Sequence, residues 1–247
     1  MKKKTIVLVV SACVLVCVSV VGSLFLTGVL LLNNPSTTRY PIRGVDVSAY
    51  QGNVDWTLIK DQGISFAFIK ATEGSSHTDS QFHTNYADAI DAGLRVGAYH
   101  FFSYDSPGLS QADHFIAEVP MVDDMLPPVI DLEFYGDYLK DPPQKTDVVT
   151  QLEVYVEKVR KAYGMDPIIY ATMRSYNLYV KGEFLDCDVW IADTYSTPVL
   201  KDGREWRFWQ YASRGRLQGY DGEERYIDVD VFNGTAEEFT EYPGNRS

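Results

Sequence analysis

Eight short β-rich runs recur along the chain beyond about residue 40, and helical patterns fill the gaps between the earlier ones. The runs are GVDVS at Gly44, SFAFIKA at Ser65, RVGAYHFF at Arg95, PPVIDLE at Pro127, PIIYA at Pro167, DVWIA at Asp188, RFWQYA at Arg207 and YIDVDVF at Tyr226. Most are rich in β-branched and aromatic residues, as strands require. Helical spacing marks 54–62, 80–92, 109–118 and, most clearly, 146–163, where Val149, Leu152, Val156 and Val159 share a face and Gly164 ends the pattern. Strands alternating with helices predict parallel βα units, and eight in this order predict an α/β fold of the irregular (β/α) barrel type, TIM-like. Past Asp188 the connections are too short or turn-rich for good helices, which is where the irregularity is expected.

The N-terminus obeys a different constraint. Lys2, Lys3 and Lys4 precede an uncharged, apolar run from Thr5 to Leu32, longer than the roughly 20 residues that cross a bilayer. A secretory leader has a core of only about 7–15 residues and a small-residue cleavage site. The run therefore reads as an uncleaved transmembrane helix, with the lysines cytoplasmic and the C-terminal domain outside; cleavage would instead give a secreted protein. The expected organisation is a tail at 1–4, a signal-anchor at 5–32, a polar linker at 33–41 and a catalytic barrel at 42–247. Of 22 basic and 34 acidic residues, three lysines lie in the tail and no acid precedes Asp46, leaving 19 against 34, or −15, outside. Such a surface excludes nucleic acid as a partner. Cys13 and Cys17 fall in the apolar run, so Cys187 has no disulfide partner within the domain, and its apolar setting suits packing better than nucleophilic chemistry.

Acids inside apolar runs point to chemistry. Asp131 and Glu133 are two residues apart in VIDLEFYG, so a strand puts both on one face with Cα atoms about 6.6 Å apart. Asp46 lies in the first run, and Asp228 and Asp230 share a face of the last. A single acid at a strand end is usually a cap or an ion-pair partner. Three acid-bearing strands in barrel order point instead to one cleft at the strand ends. Crowded carboxyls raise one another's pKa, and an acid held neutral beside ionised ones can protonate a glycosidic oxygen, as in glycosidases. His77, His83, His100 and His114 lack HExxH spacing, and Phe232 occupies the next ligand position of any calcium loop begun by Asp228 and Asp230. No metal or cofactor is expected.

The motifs DVSAYQG (46–52), GISFAFIKATEG (63–74), GAYHFF (97–102), VIDLE (129–133), WQYA (209–212) and IDVDVFNG (227–234), in that order, resemble glycoside hydrolase family 25. These are the N-acetylmuramidases, or lysozymes of bacterial and phage type, and the resemblance runs from about Arg43 to Thr240. It implies cleavage of the β-1,4 bond from N-acetylmuramic acid to N-acetylglucosamine in peptidoglycan. It makes Glu133 the proton donor and gives Asp46 and Asp228 a charge-setting role. Asp131 is then a nucleophile or, as in substrate-assisted families, the group that orients the sugar's acetamido arm. The second is preferred, because neighbours on one strand do not easily flank a scissile bond from opposite sides. Tyr50, Tyr99, Tyr135, Tyr170, Trp190, Trp209 and Tyr211 either stack on sugar faces or pack in the core. Gln51 and Glu73 bond sugar hydroxyls or hold the acids. Two positions depart from the family: Asp230 stands where Asn is common, and His77 where an aromatic residue is usual. The competing expectations are a wall-glycan-binding barrel without catalysis and a hydrolase of chitin-like polymers. With an anchor, the expected setting is local wall remodelling at the cell membrane, with an envelope-spanning complex as a possible partner.

Overall fold

A computed structural model describes residues 2–243; Met1 of the predicted tail and the last four residues of the predicted barrel segment lie outside the described residues. Seven strands run parallel around a closed barrel: β1 (Arg43–Val47), β2 (Phe66–Glu73), β4 (Arg95–Phe101), β5 (Val129–Leu132), β6 (Ile168–Thr172), β7 (Val189–Ala192) and β8 (Phe208–Gly215). An eighth, β9 (Ile227–Phe232), closes the ring between β8 and β1 and is antiparallel to both. A two-residue strand, β3 (His77–Thr78), is appended to the end of β2. The eight runs read from sequence are the eight barrel strands; the reversed direction of β9 was not anticipated. Its cause is local: no helix carries the chain from β8 back to the starting end, so the strand returns directly alongside.

Helices α2 (Trp56–Asp61), α3 (Phe82–Asp91), α4 (Gly108–Glu118) and α5 (Lys145–Tyr163) form the first four crossovers. Helix α5 buries Val148, Leu152, Val156 and Val159, and Gly164 caps it in the left-handed conformation. Val148 rather than Val149 sets the buried face, since Val149 lies half out of it. After β6 comes only a short helical turn, α6 (Met173–Ser175), which continues into a wider turn to Val180, and no helix joins β7 to β8.

Alternation along the strands builds two cores. Phe66, Phe68, Val129, Ile168, Trp190, Phe208 and Phe232 point inward, and α7 (Ala236–Glu241) with the residue after it brings Phe239 and Tyr242 against that cluster. Ile69, Ile130, Ile169, Ile191 and Val231 point outward under the helices. Two glycines make room for the inner rings: a Cβ at Gly44 would lie 2.2 Å from the Phe66 ring, and one at Gly97 2.6 Å from that of Phe68. The inner aromatics fill the end at which the strands begin, so the open mouth lies where they finish.

The N-terminal helix α1 (Lys2–Leu26) ends before the apolar run does. Its stretch Ile6–Leu26 is long and apolar enough to cross a membrane and is not buried against the rest of the molecule. Residues 27–32 instead turn against the barrel, where Leu31 packs on the outer core. Residues 33–41 follow the barrel wall: Asn33 donates to the Asp193 carbonyl, Arg43 donates to that of Pro35, and Tyr40 is 4% exposed between Trp206 and Trp209.

Candidate active site

Inward-facing positions near the strand ends converge on one cleft of about 1090 Å³. Asp46 on β1 sits opposite Asp228 on β9. Because β9 is reversed, Asp228 reaches the mouth from near the start of its strand rather than from its end. Asp131 on β5 neighbours Tyr170 on β6, and Glu133 follows directly after β5. Asp46, Asp131, Glu133, Asp228, Tyr50, Gln51, Tyr99, Tyr170 and Trp190 all line this cleft.

Four predicted residues do not line it. Trp209 and Tyr211 alternate with Phe208 and Gln210 on β8, so they point outward: the Trp209 indole donates to the Asp193 carbonyl, and the Tyr211 hydroxyl accepts from Arg43. Glu73 pairs with Lys70 at 2.7 Å and so holds an amine that does line the cleft. Tyr135 stacks on Tyr104 and donates to Asp105 in the neighbouring loop. His77 pairs with Glu73 on the edge strand and presents no stacking face to the cleft. Trp190 and Gln51, though they line it, are committed inward: Trp190 stacks on Phe68, and Gln51 accepts from the Ser48 amide to close its own turn. Tyr50 is exposed at the rim and free to meet a sugar face.

A buried polar network supports the acids. Gln210 Nε2 donates to Asp46 Oδ2 at 2.8 Å, and the Tyr170 hydroxyl donates to Gln210 Oε1 at 3.0 Å. The Trp190 indole donates to Asp230 Oδ1 at 2.9 Å, while Asp230 Oδ2 and Asp131 Oδ1 have no partner. Burial holds Asp46 well above the usual carboxylate range, the neighbouring Asp230 adds to this, and Gln210 partly offsets it. Asp228 is raised by burial and then by the charge of Asp46. Asp131 is raised by burial and by Glu133, with Lys70 opposing. Glu133 is raised by burial, against the Tyr170 hydroxyl and Lys70. Such a cluster holds a proton at a pH where an exposed carboxyl has lost it.

Gln210, Lys70, Arg174, Arg214, Glu224 and Tyr226 also line the cleft and were not singled out from sequence. Lys70 and Gln210 had a signal, since each is in phase with inward phenylalanines on its strand, Phe66 and Phe68 for one and Phe208 for the other. The other four stand on or beside irregular segments, where no periodicity reports direction. Cys187 is buried and its thiol is pushed up to about 12, which suits the packing role expected of it.

A barrel whose mouth gathers several proton-retaining carboxyls beside aromatic rings and amide donors defines a glycoside hydrolase. Comparison with known proteins makes the class specific. The chain belongs to the glycosyl hydrolases family 25, whose sequence model matches residues 45–220. It is 36% identical over 204 residues to the uncharacterized protein YegX of Escherichia coli K12, covering 81% of this chain and 72% of that one. It is 34% identical over 208 residues to lysozyme M1 of Streptomyces globisporus, covering 79% and 69%. Its fold superposes on a family 25 glycosyl hydrolase from Bacillus anthracis with a TM-score of 0.80 and 49% identity, over 84% of this chain and 96% of that one.

Proposed function

We propose that the protein is a membrane-held muramidase that cuts the β-1,4 bond between N-acetylmuramic acid and N-acetylglucosamine, with Glu133 as general acid and then base. Family membership carries the reaction class. The observation that supports these roles is the pairing of Glu133, raised by burial, with Asp131, whose Oδ1 is buried and unpartnered beside the cleft. An unsatisfied buried acceptor is costly unless a ligand supplies a donor, and the acetamido N–H of the muramic acid is such a donor.

The steps follow. Glu133 gives its proton to the departing O4 of the glucosamine as the acetamido oxygen closes on C1 and the C1–O4 bond breaks. Asp131, accepting from the acetamido nitrogen, stabilises the positive charge that develops there. Water then attacks C1, Glu133 takes its proton, and the acetamido group reopens. Asp46 and Asp228 set the field of the cleft from the opposite wall.

Glu133→Gln should lower turnover by about 10²–10⁴-fold with an unchanged circular dichroism spectrum. A near wild-type rate would mean that another group is the acid. Asp131→Asn should slow the reaction comparably, and a sugar trapped on the Asp131 carboxylate, read by mass spectrometry, would replace assistance with a covalent nucleophile. Mass analysis of the new reducing end separates muramic acid from the glucosamine that a chitin-type cut would leave. Helix α1 supports retention at the cell membrane with the barrel outside, and that location suits local wall remodelling, including opening the wall for an envelope-spanning complex. Release of all activity into the medium would contradict it.

A further inference from the structure

Strand direction fixes which end of the barrel the anchor meets. Because β7 and β8 run parallel to β1 and β5, the loop after Ala192 and the end of β8 at Gly215 lie at the mouth. Reversed β9 puts Tyr226, which precedes it, at the same end. The last helical carbonyl of α1, that of Leu26, accepts from Arg214 Nη1 at 2.9 Å and from the Tyr226 hydroxyl at 3.3 Å, and both residues line the cleft. Gly28 lies so close that a Cβ there would be 2.4 Å from the Arg214 carbonyl oxygen.

From that point the chain must reach β1 at the other end of the barrel. The eight residues of β8 rise about 26 Å, and the ten from Asn33 to Ile42 reach at most about 33–36 Å fully extended. The linker is therefore long enough to cross the wall, and it does so with a turn in which the Arg39 and Tyr40 amides donate to the Ser36 carbonyl. It is fixed there by the Asn33–Asp193 bond and by Tyr40 under Trp206 and Trp209. A strap held at both ends does not leave the barrel free to swing. The surface around the junction is also of interfacial type: Tyr195, 80% exposed, lines a groove with Leu30 and Leu32, and Val199, further along the same loop, is 76% exposed. Tyrosine and arginine next to apolar side chains are what a membrane-water boundary accepts.

We propose that the strap at residues 27–42 holds the barrel with its cleft beside the membrane, the rim from Thr194 to Val199 touching lipid headgroups, so that the substrate is the glycan layer nearest the bilayer. This rests on α1 spanning the membrane. The anchor arrives beside Tyr195, Arg214 and Tyr226, at the ends of β7 and β8 and the start of β9, so the side of the mouth at the ends of β4 and β5 lies across the cleft from it.

The test uses the full chain with Cys13 and Cys17 changed to Ser, reconstituted in vesicles of phosphatidylethanolamine and phosphatidylglycerol that carry a headgroup-linked nitroxide. Cys187 is buried and its thiol raised, so it stays unlabelled. A fluorophore on Thr197→Cys at the rim should be quenched several-fold more than one on Asp123→Cys, in the loop before β5 at the opposite end. Vesicle flotation with equal or reversed quenching would overturn the orientation alone, whereas failure to float would remove the spanning reading and this one with it. Replacing 27–33 by about 25 Gly and Ser residues, a coil with a span of about 25–30 Å, should abolish the quenching contrast while activity on soluble glycan fragments persists. A contrast that survived the replacement would show that the strap does not set the orientation.

Discussion

Asp230 shows how much one side chain costs a site. It is fully buried, bonds the Trp190 indole through one oxygen, and is raised by burial first and by the charge of Asp228 next. It stands where the family commonly has Asn, and its partner in the structure is an indole, with Gln210 on β8 and Gly44 on β1 as its strand neighbours. Its folded form keeps a proton that the unfolded chain releases at ordinary carboxylate pH. The stability this contributes is therefore present below the ordinary carboxylate pKa and is lost as pH rises through that value toward the raised one. Asp230→Asn should melt higher than wild type at pH 7–8 and nearly level with it at pH 3, by about 2–4 °C for each kcal/mol relieved; a lower melting temperature at pH 8 would contradict this. The Tyr170 hydroxyl has one proton, which goes to Gln210 Oε1 in this arrangement and favours the ionised form of Glu133 when it turns to that acid instead. Tyr170→Phe should push the alkaline limb of the kcat/KM profile upward, by at most about one pH unit for a hydrogen bond of about 0.5–1.5 kcal/mol. A limb that stayed put would detach Tyr170 from the acid.

At the scale of elements, the barrel depends on alternation and on glycines that admit rings. Phe66 is fixed among Phe68, Phe208 and Phe239, with ring centroids 5.6, 5.3 and 5.6 Å away, so it cannot yield to a methyl group at Gly44. Gly44→Ala should cost about 1–3 kcal/mol in a urea titration, and adding Phe66→Leu should recover part of the loss. Two additive losses would show that the ring is not the obstacle. Alternation also sorts the aromatics that sequence motifs leave together: WQYA contributes its glutamine to the cleft and turns its tryptophan and tyrosine outward. The strands and the four crossover helices were legible because local periodicity marks them. The direction of β9 was not, since a strand's pattern reads the same in either sense.

Over the whole molecule, the barrel, the strap and the apolar helix are one connected arrangement. Tyr40 ties the strap to the wall through two tryptophan rings. Tyr40→Ala should therefore loosen it, and trypsin should cut at Arg39 several-fold faster than in wild type while the barrel melts nearly unchanged; an unchanged cutting rate would show that Tyr40 does not hold the strap. A polar, turn-rich stretch such as 33–41 reads as free linker because composition says nothing of what lies beside it. The sequence by itself determined the barrel class, the four acids and the apolar helix, because periodicity and residue chemistry are local properties that survive without coordinates. Only the tertiary structure decided which aromatics face the cleft, that Gln210 and Lys70 line it, that Asp228 arrives on a reversed strand and that the apolar helix ends at the mouth. Those depend on strand direction and on contacts between residues up to 200 apart in the chain, which no window of sequence contains.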